Sequence, residues 1–291
     1  MWRLGLLAVM ACGRIAFDPL ADGAPGGSGG AGATLADACP FSSWGTPMLQ
    51  AELSTAINDT GGQISPDGLA YYYQSSASGS DDQIYVSRRA STQALFGAPQ
   101  LIAAIDSTSD DSSPSPTADD LELYFASNRS GMPCIYVTTR PTTSAGWQAP
   151  SVLSPLCTAM GTDGPYITPD GLRLYYGTSV TLAWGELMVS TRASRADSFG
   201  PGAPVPGLAG GDPRGYPSLS VDEREIFFED HTGTTTQIYY AQRGTPQQAF
   251  SGDGQVVELG NAVSDPSLST DSRDLYYSDG GDIRVISRSC L

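Results

Sequence analysis

Lysine is absent from this 291-residue chain: all 15 basic residues are arginine, set against 31 acids for a net charge of −16. That balance argues against nucleic acid or an anionic membrane surface as a partner, because both call for clustered positive charge. Histidine is nearly as scarce. His231 is the only one, and no Gly-x-Ser-x-Gly elbow occurs, so a Ser–His–Asp hydrolase is poorly supplied. A zinc centre built from several His or Cys ligands is equally short of donors. Long apolar runs are missing too. The run at residues 4–11 is too short to span a bilayer. Beyond the first dozen residues nothing sustains a 3.6-residue apolar period, so the mature protein reads as all-β.

What the chain has in abundance is repetition. A motif of the form Asp-x-x-x-[Leu/Ile]-aromatic-aromatic, as in Asp170-Gly171-Leu172-Arg173-Leu174-Tyr175-Tyr176, recurs with its aspartates at Asp67, Asp119, Asp170, Asp222 and Asp271, the first copy carrying Tyr71 in the Leu/Ile place. The steps are 52, 51, 52 and 49 residues. A second marker, an aromatic opening a Pro- and Leu-containing run, falls at Trp44, Phe96, Trp147, Phe199 and Phe250, in steps of 52, 51, 52 and 51. Two independent markers with one period describe one supersecondary unit repeated five times. Each unit carries four short β-rich segments separated by turn signals, which is the pattern of a propeller blade. The predicted fold is a five-bladed β-propeller of four-stranded antiparallel blades. The last unit lacks an outer strand and the first marker, at Trp44, is a spare one. Pairing the two closes the ring and removes an exposed sheet edge.

The runs Ile64-Ser65-Pro66-Asp67-Gly68, Ala126-Ser127-Asn128-Arg129-Ser130-Gly131 and Gln83-Ile84-Tyr85-Val86 resemble the PD40, or WD40-like, repeats of TolB-type β-propellers. The resemblance covers roughly residues 44–289. It implies the propeller fold and points weakly to function.

Residues 1–11 resemble a bacterial lipoprotein signal: a positive start, a short apolar run and a small residue before Cys12. Cys12 is then the lipidation site, residues 12–38 a Gly- and Ala-rich tether, and residues 39–291 the propeller. This makes the protein an exported, membrane-anchored lipoprotein facing the periplasm or the cell exterior, touching the membrane through its lipid only. Four cysteines remain, and the blade model assigns partners: Cys39 with Cys290 across the ring closure, and Cys134 with Cys157 within blade two.

Sorting charges by blade position separates two faces. On one, the repeated aspartates meet a repeated arginine (Arg88, Arg140, Arg192, Arg243, Arg288), a pattern expected for turn capping or structural pairing. The other face, formed by inter-blade loops and the hairpins between second and third strands, is strongly acidic. Asp59, Asp111, Asp163 and Asp265 precede the innermost strands there and are candidate ligands for a divalent ion, calcium suiting carboxylates and loop carbonyls. Trp184, in the hairpin 177–185, fits no repeat position; with Asp111 and Asp163 it is the candidate ligand contact. The innermost segments, such as Ser115-Pro116-Thr117 and Ser218-Leu219-Ser220, read as free of carboxylates, and His231 reads as a surface hairpin residue. The expected function is therefore a non-catalytic, monomeric binding or scaffold module that recognises a protein or envelope ligand through its acidic face, with no cofactor. The alternative is a glycan-acting hydrolase with carboxylates at the channel mouth.

Overall fold

The computed structural model describes residues 41–54, 58–76, 81–159, 161–180, 183–210, 213–232, 235–256, 259 and 262–291. The chain divides into two compact units, 1–32 and 33–291, and every described residue belongs to the second. The signal segment, Cys12, the tether and Cys39 lie outside the described residues.

Twenty strands form five four-stranded antiparallel sheets, and among the described residues there is no helix. Blade one is β2 (Asp59–Ile64), β3 (Ala70–Ser75), β4 (Gln83–Arg88) and β5 (Gln100–Leu101). Blade two is β6 (Asp111–Pro116), β7 (Glu122–Ser127), β8 (Cys134–Thr139) and β9 (Ser151–Val152). Blade three is β10 (Thr162–Ile167), β11 (Arg173–Val180), β12 (Ala183–Thr191) and β13 (Ala203–Pro204). Blade four is β14 (Arg214–Leu219), β15 (Glu225–Asp230), β16 (Gln237–Gln242) and β17 (Ser251–Val256). Blade five is β18 (Val263–Leu268), β19 (Asp274–Asp279), β20 (Asp282–Ser287) and, from the other end of the chain, β1 (Met48–Leu49). Met48 pairs with Val285 and Leu49 with Arg284, flanked by Gly45 N–H donating to Ser287 O at 2.8 Å and Gln50 N–H to Ile283 O at 2.9 Å. The ring is closed as the two markers predict.

The aromatic pairs weld the blades. Successive side chains of a strand point to opposite faces of its sheet, and each face of a blade meets a different neighbour. Tyr72, Tyr124, Tyr175, Phe227 and Tyr276 therefore pack toward the following blade, and Tyr73, Phe125, Tyr176, Phe228 and Tyr277 toward the preceding one. Both members of every pair are core residues, at most 3% exposed.

The repeated aspartate caps the turn between first and second strands. Asp67 Oδ1 accepts from Ser65 Oγ at 2.6 Å and from Leu69 N–H at 2.9 Å, and Asp170 does the same with Thr168 and Leu172. The hydroxyl in turn accepts the N–H five residues on, as Ser65 does from Ala70 at 2.8 Å. The expected pairing with a repeated arginine is replaced by something else. The arginine donates Nε–H to the turn carbonyl one residue past the aspartate, for example Arg140 to Asp120 O and Arg192 to Gly171 O, both at 2.7 Å. It also lies over the marker aromatic, 4.2 Å from the Trp147 centroid and 4.6 Å from Phe199. In blade one this position belongs to Arg89, which bonds Gly68 O at 2.7 Å and covers Phe96 at 4.4 Å. Arg88 instead reaches Tyr72 and Asp120.

Cys134, first residue of β8, is joined to Cys157, which follows β9, as the blade plan requires. Phe41 bridges to Cys290, so the chain two residues beyond Cys39 runs beside that cysteine.

Candidate functional site: the acidic end of the channel

The innermost strands line the central channel, and each carries a β-bulge at the same place. The residues at its centre are Gly61, Ser113, Gly164, Tyr216 and Asp265, all left-handed, with φ between 48° and 62°. Each is followed in sequence by Gly62, Pro114, Pro165, Pro217 or Pro266. Proline has no N–H to offer a ladder, so a bulge at that position leaves no donor orphaned. Below the bulges the strands grip one another. Ser267, Ser115 and Ser218 accept backbone N–H groups from the next blade's Ile64, Ile167 and Leu268 at 2.8–3.0 Å. Where blade two would donate to blade one it has Pro116, and no such bond forms.

This arrangement divides the channel. At the turn face a cavity of about 370 Å³, open solvent at its mouth included, is walled largely by apolar groups such as Pro66, Pro169, Val221 and Leu268. At the acidic face a neck of about 210 Å³, open solvent included, is ringed by the five bulges, with Gly61, Gly62, Ser113, Gly164, Tyr216 and Asp265 on its wall.

The four acids singled out from sequence fall on these innermost strands, not ahead of them, so the strands do carry carboxylates. Their environments differ. Asp111 is fully buried and paired with Arg129 at 2.5 Å, with Ser107 Oγ donating at 2.9 Å. Asp59 is fully buried. Asp163 keeps slight solvent contact at the neck and accepts Gly164 N–H at 2.7 Å. Burial raises its pKa to about 6; the Asp265 charge adds to this, while Gly164 N–H and the nearby Ser113 hydroxyl oppose it. Asp265 is buried, with Ser264 Oγ donating at 2.7 Å and Gly61 N–H and Ser278 beside it; burial raises its pKa as well.

A fifth acid was missed. Glu229, at the end of β15, is 2% exposed and accepts Asp265 N–H at 2.5 Å. Burial, then the charges of Asp265 and Asp163, hold it well above the ordinary carboxylate range. Its other oxygen lies 3.0 Å from His231 Nε2. His231 is not a surface tip: its side chain is mostly buried, and burial lowers its pKa to about 4. His231 therefore meets Glu229 as a neutral imidazole near pH 7. Tyr216, also unremarked in the sequence, has its hydroxyl pushed up by burial and by the charges of Asp163, Glu229 and Asp265.

Among the described residues no three His, Cys, Asp or Glu side chains are arranged to hold a metal ion. Trp184 sits on β12 opposite Ser179. β11 runs on to Val180 and β12 begins at Ala183, 8 and 9 residues long, the longest paired strands described.

No family model and no curated protein matches the chain. Solved structures do. A GH43_1 enzyme from Xanthomonas citri superposes with TM-score 0.58 at 17% identity, covering 88% of this chain and 92% of that one. The putative TolB from Agrobacterium tumefaciens gives 0.51 at 16%, over 82% and 76%. The catalytic domain of a Coprinopsis cinerea GH62 alpha-L-arabinofuranosidase gives 0.52 at 11%, over 86% and 97%. At such identities the likeness speaks for the fold alone. The chain is a five-bladed β-propeller whose similar structures include both TolB-type propellers and glycoside hydrolases.

Proposed function

We propose that this protein is an exported, non-catalytic binding module that engages a cationic protein or envelope component through the acidic loop face. The carrying observation is a charge imbalance on that face. Asp106 and Asp110 are exposed, and Asp81, Asp82, Asp163 and Asp279 are partly so. The arginines nearby are already engaged: Arg129 with Asp111, Arg214 with Asp230 and Arg284 with Asp279. A face of one sign steers and orients an oppositely charged partner. The Cys134–Cys157 disulfide supports an oxidising compartment, and lipidation at Cys12 would tether the module there. Binding of a lysine-rich peptide at low salt tests this reading. Reversing Asp81, Asp82, Asp106 and Asp110 should abolish it, and reversing Asp67, Asp119, Asp170 and Asp271 on the other face should not. Equal losses from both sets would refute it. Replacing Cys12 with serine should move the protein from the membrane fraction to the soluble one.

One observation favours a second reading, a glycan-acting hydrolase. Burial and the charges of Asp265 and Asp163 raise the Glu229 pKa well above the ordinary carboxylate range, the direction that the general acid of a glycosidase needs. Against it, Glu229 is buried and both its oxygens are occupied. Turnover of aryl arabinosides or xylosides that vanishes with Glu229→Gln would establish this reading over the first.

A further inference from the structure

The chain that precedes the propeller joins it at a definite place. Phe41 bridges to Cys290, and Ser42 N–H donates to Ser289 O at 2.8 Å. Both segments lie against the turn between β18 and β19: Arg288 Nε–H donates to Ser272 O at 2.6 Å, and Arg273 donates to Cys290 Sγ at 3.0 Å. The join is therefore at the turn face, on the rim of blade five. Charge divides between the two faces as well. Among the described residues every arginine except Arg129, Arg214 and Arg284 sits at the turn face. Acids there are matched: Asp120 meets Arg140 and Arg88, Glu122 meets Arg192 and Arg195, Glu223 meets Arg173 and Arg243, and Glu225 meets Arg288. The opposite face keeps the excess of acids, with Asp106 and Asp110 exposed among them. Apolar exposure gives an independent third sign. Leu291 at 83% and Leu95 at 74% are the most exposed large apolar side chains described. Both lie at the turn face, in blades five and one, which are neighbours in the ring.

We propose that the turn face is the surface this protein lays toward a lipid bilayer, leaving the acidic face directed outward to its partner. This rests on the reading that Cys12 is lipidated and names the orientation that the anchored propeller takes. The lipid supplies the attraction. The join at Phe41 sets which edge lies nearest the headgroups, and charge sets which face. Anionic headgroups create a negative surface potential that falls off within about 8 Å in physiological salt. A face whose acids are matched by arginine can come that close, whereas a face with surplus carboxylates is repelled. Leu95 stands on the near side, where an apolar side chain can enter the headgroup layer. The net charge of −16 still forbids binding by charge alone, so contact with the bilayer depends on the anchor.

The absence of lysine makes the test direct, because one introduced lysine takes an amine-reactive dye at a chosen point. Gln93→Lys marks the turn face and Thr108→Lys the acidic face; both positions are exposed, and each change adds the same charge. The full chain, expressed with its own leader, is reconstituted in phosphatidylcholine vesicles containing phosphatidylglycerol and an acceptor-labelled lipid. The lysine-free parent, labelled in parallel, gives the background. Energy transfer to the lipid should be several-fold stronger from position 93 than from position 108. Changing Asp82, Asp106 and Asp110 to asparagine, or omitting phosphatidylglycerol, should narrow that difference. The Cys12→Ser protein should show no transfer from either position. Equal transfer from both positions in vesicle-bound protein, or stronger transfer from position 108, overturns the orientation and leaves the anchor standing. Failure of the full chain to associate with vesicles overturns the anchor and the orientation together.

Discussion

Replacing Asp163 with asparagine should stabilise this protein at neutral pH and leave it unchanged at acid pH. The folded pKa of Asp163, about 6 against an ordinary value of 3.8, means that the native state binds this proton more tightly than the unfolded chain does. Stability from that proton is fully present below pH 3.8 and is lost as pH rises through 6. Two units correspond to about 3 kcal/mol, all of it forfeited by pH 7 in the wild type. Asparagine carries no charge to bury, and its amide oxygen can still accept Gly164 N–H, the bond that Asp163 makes at 2.7 Å. The difference between variant and wild type should therefore grow from near zero at pH 4 to about 3 kcal/mol at pH 7. For a domain of this size that is a gain of about 6–12 °C in melting temperature. Calorimetric melts of both proteins at pH 4, 5, 6 and 7 measure it. A difference that does not change with pH, or a variant less stable at pH 7 than at pH 4 relative to wild type, would show that the Asp163 charge is compensated.

Further outcomes follow from the fold. Arg140 is buried, bonds the Asp120 carbonyl and carboxylate and lies over Trp147, so Arg140→Leu should cost about 3 kcal/mol in urea melts. Arg89→Leu should cost measurably more than Arg88→Leu, because only Arg89 holds the turn and the marker aromatic. Gln50→Pro removes the N–H given to Ile283 beside β1 and should broaden the melting transition, while non-reducing peptide mapping should recover a Cys39–Cys290 linked peptide. Replacing Cys134 and Cys157 together with serine should cost about 2–4 kcal/mol, the usual range for a loop of this order.

The architecture was legible in the sequence because it is periodic. Turn aspartates, strand aromatics and outer-strand markers each recur every fifty residues, and periodicity survives without any knowledge of the neighbours. The bulges left a signal that the sequence reading did not take up, the prolines Pro114, Pro165, Pro217 and Pro266, which share that period. What could not be read was which neighbour each charge meets, since that depends on the adjacent blade. Arg88 and Arg89 are consecutive, and spacing alone cannot say which takes the repeat position; the sheet register decides, leaving Arg88 paired with Ala70 at the end of β4. Glu229 and His231 look like hairpin residues because they flank a turn. They are buried because β15 runs the full six residues to Asp230 and delivers them to the next blade's bulge.

Tyr216 tests whether a bulge can carry a side chain where two of its counterparts have none. Its counterparts in blades one and three are glycines, for which a positive φ carries no penalty. A tyrosine at φ 48° is strained by about 1–2 kcal/mol. Its backbone is also packed tightly, since a Cβ on Gly164 would meet Tyr216 Cα at 3.0 Å. Tyr216→Gly should relieve the strain while losing the contacts of a ring that is only partly covered. The two effects nearly cancel, for a net change within about 1 kcal/mol. A loss above about 3 kcal/mol would make Tyr216 an ordinary core residue. Its ring narrows the neck, so a neutral outcome would mean that the ring shapes the channel and contributes little to the core.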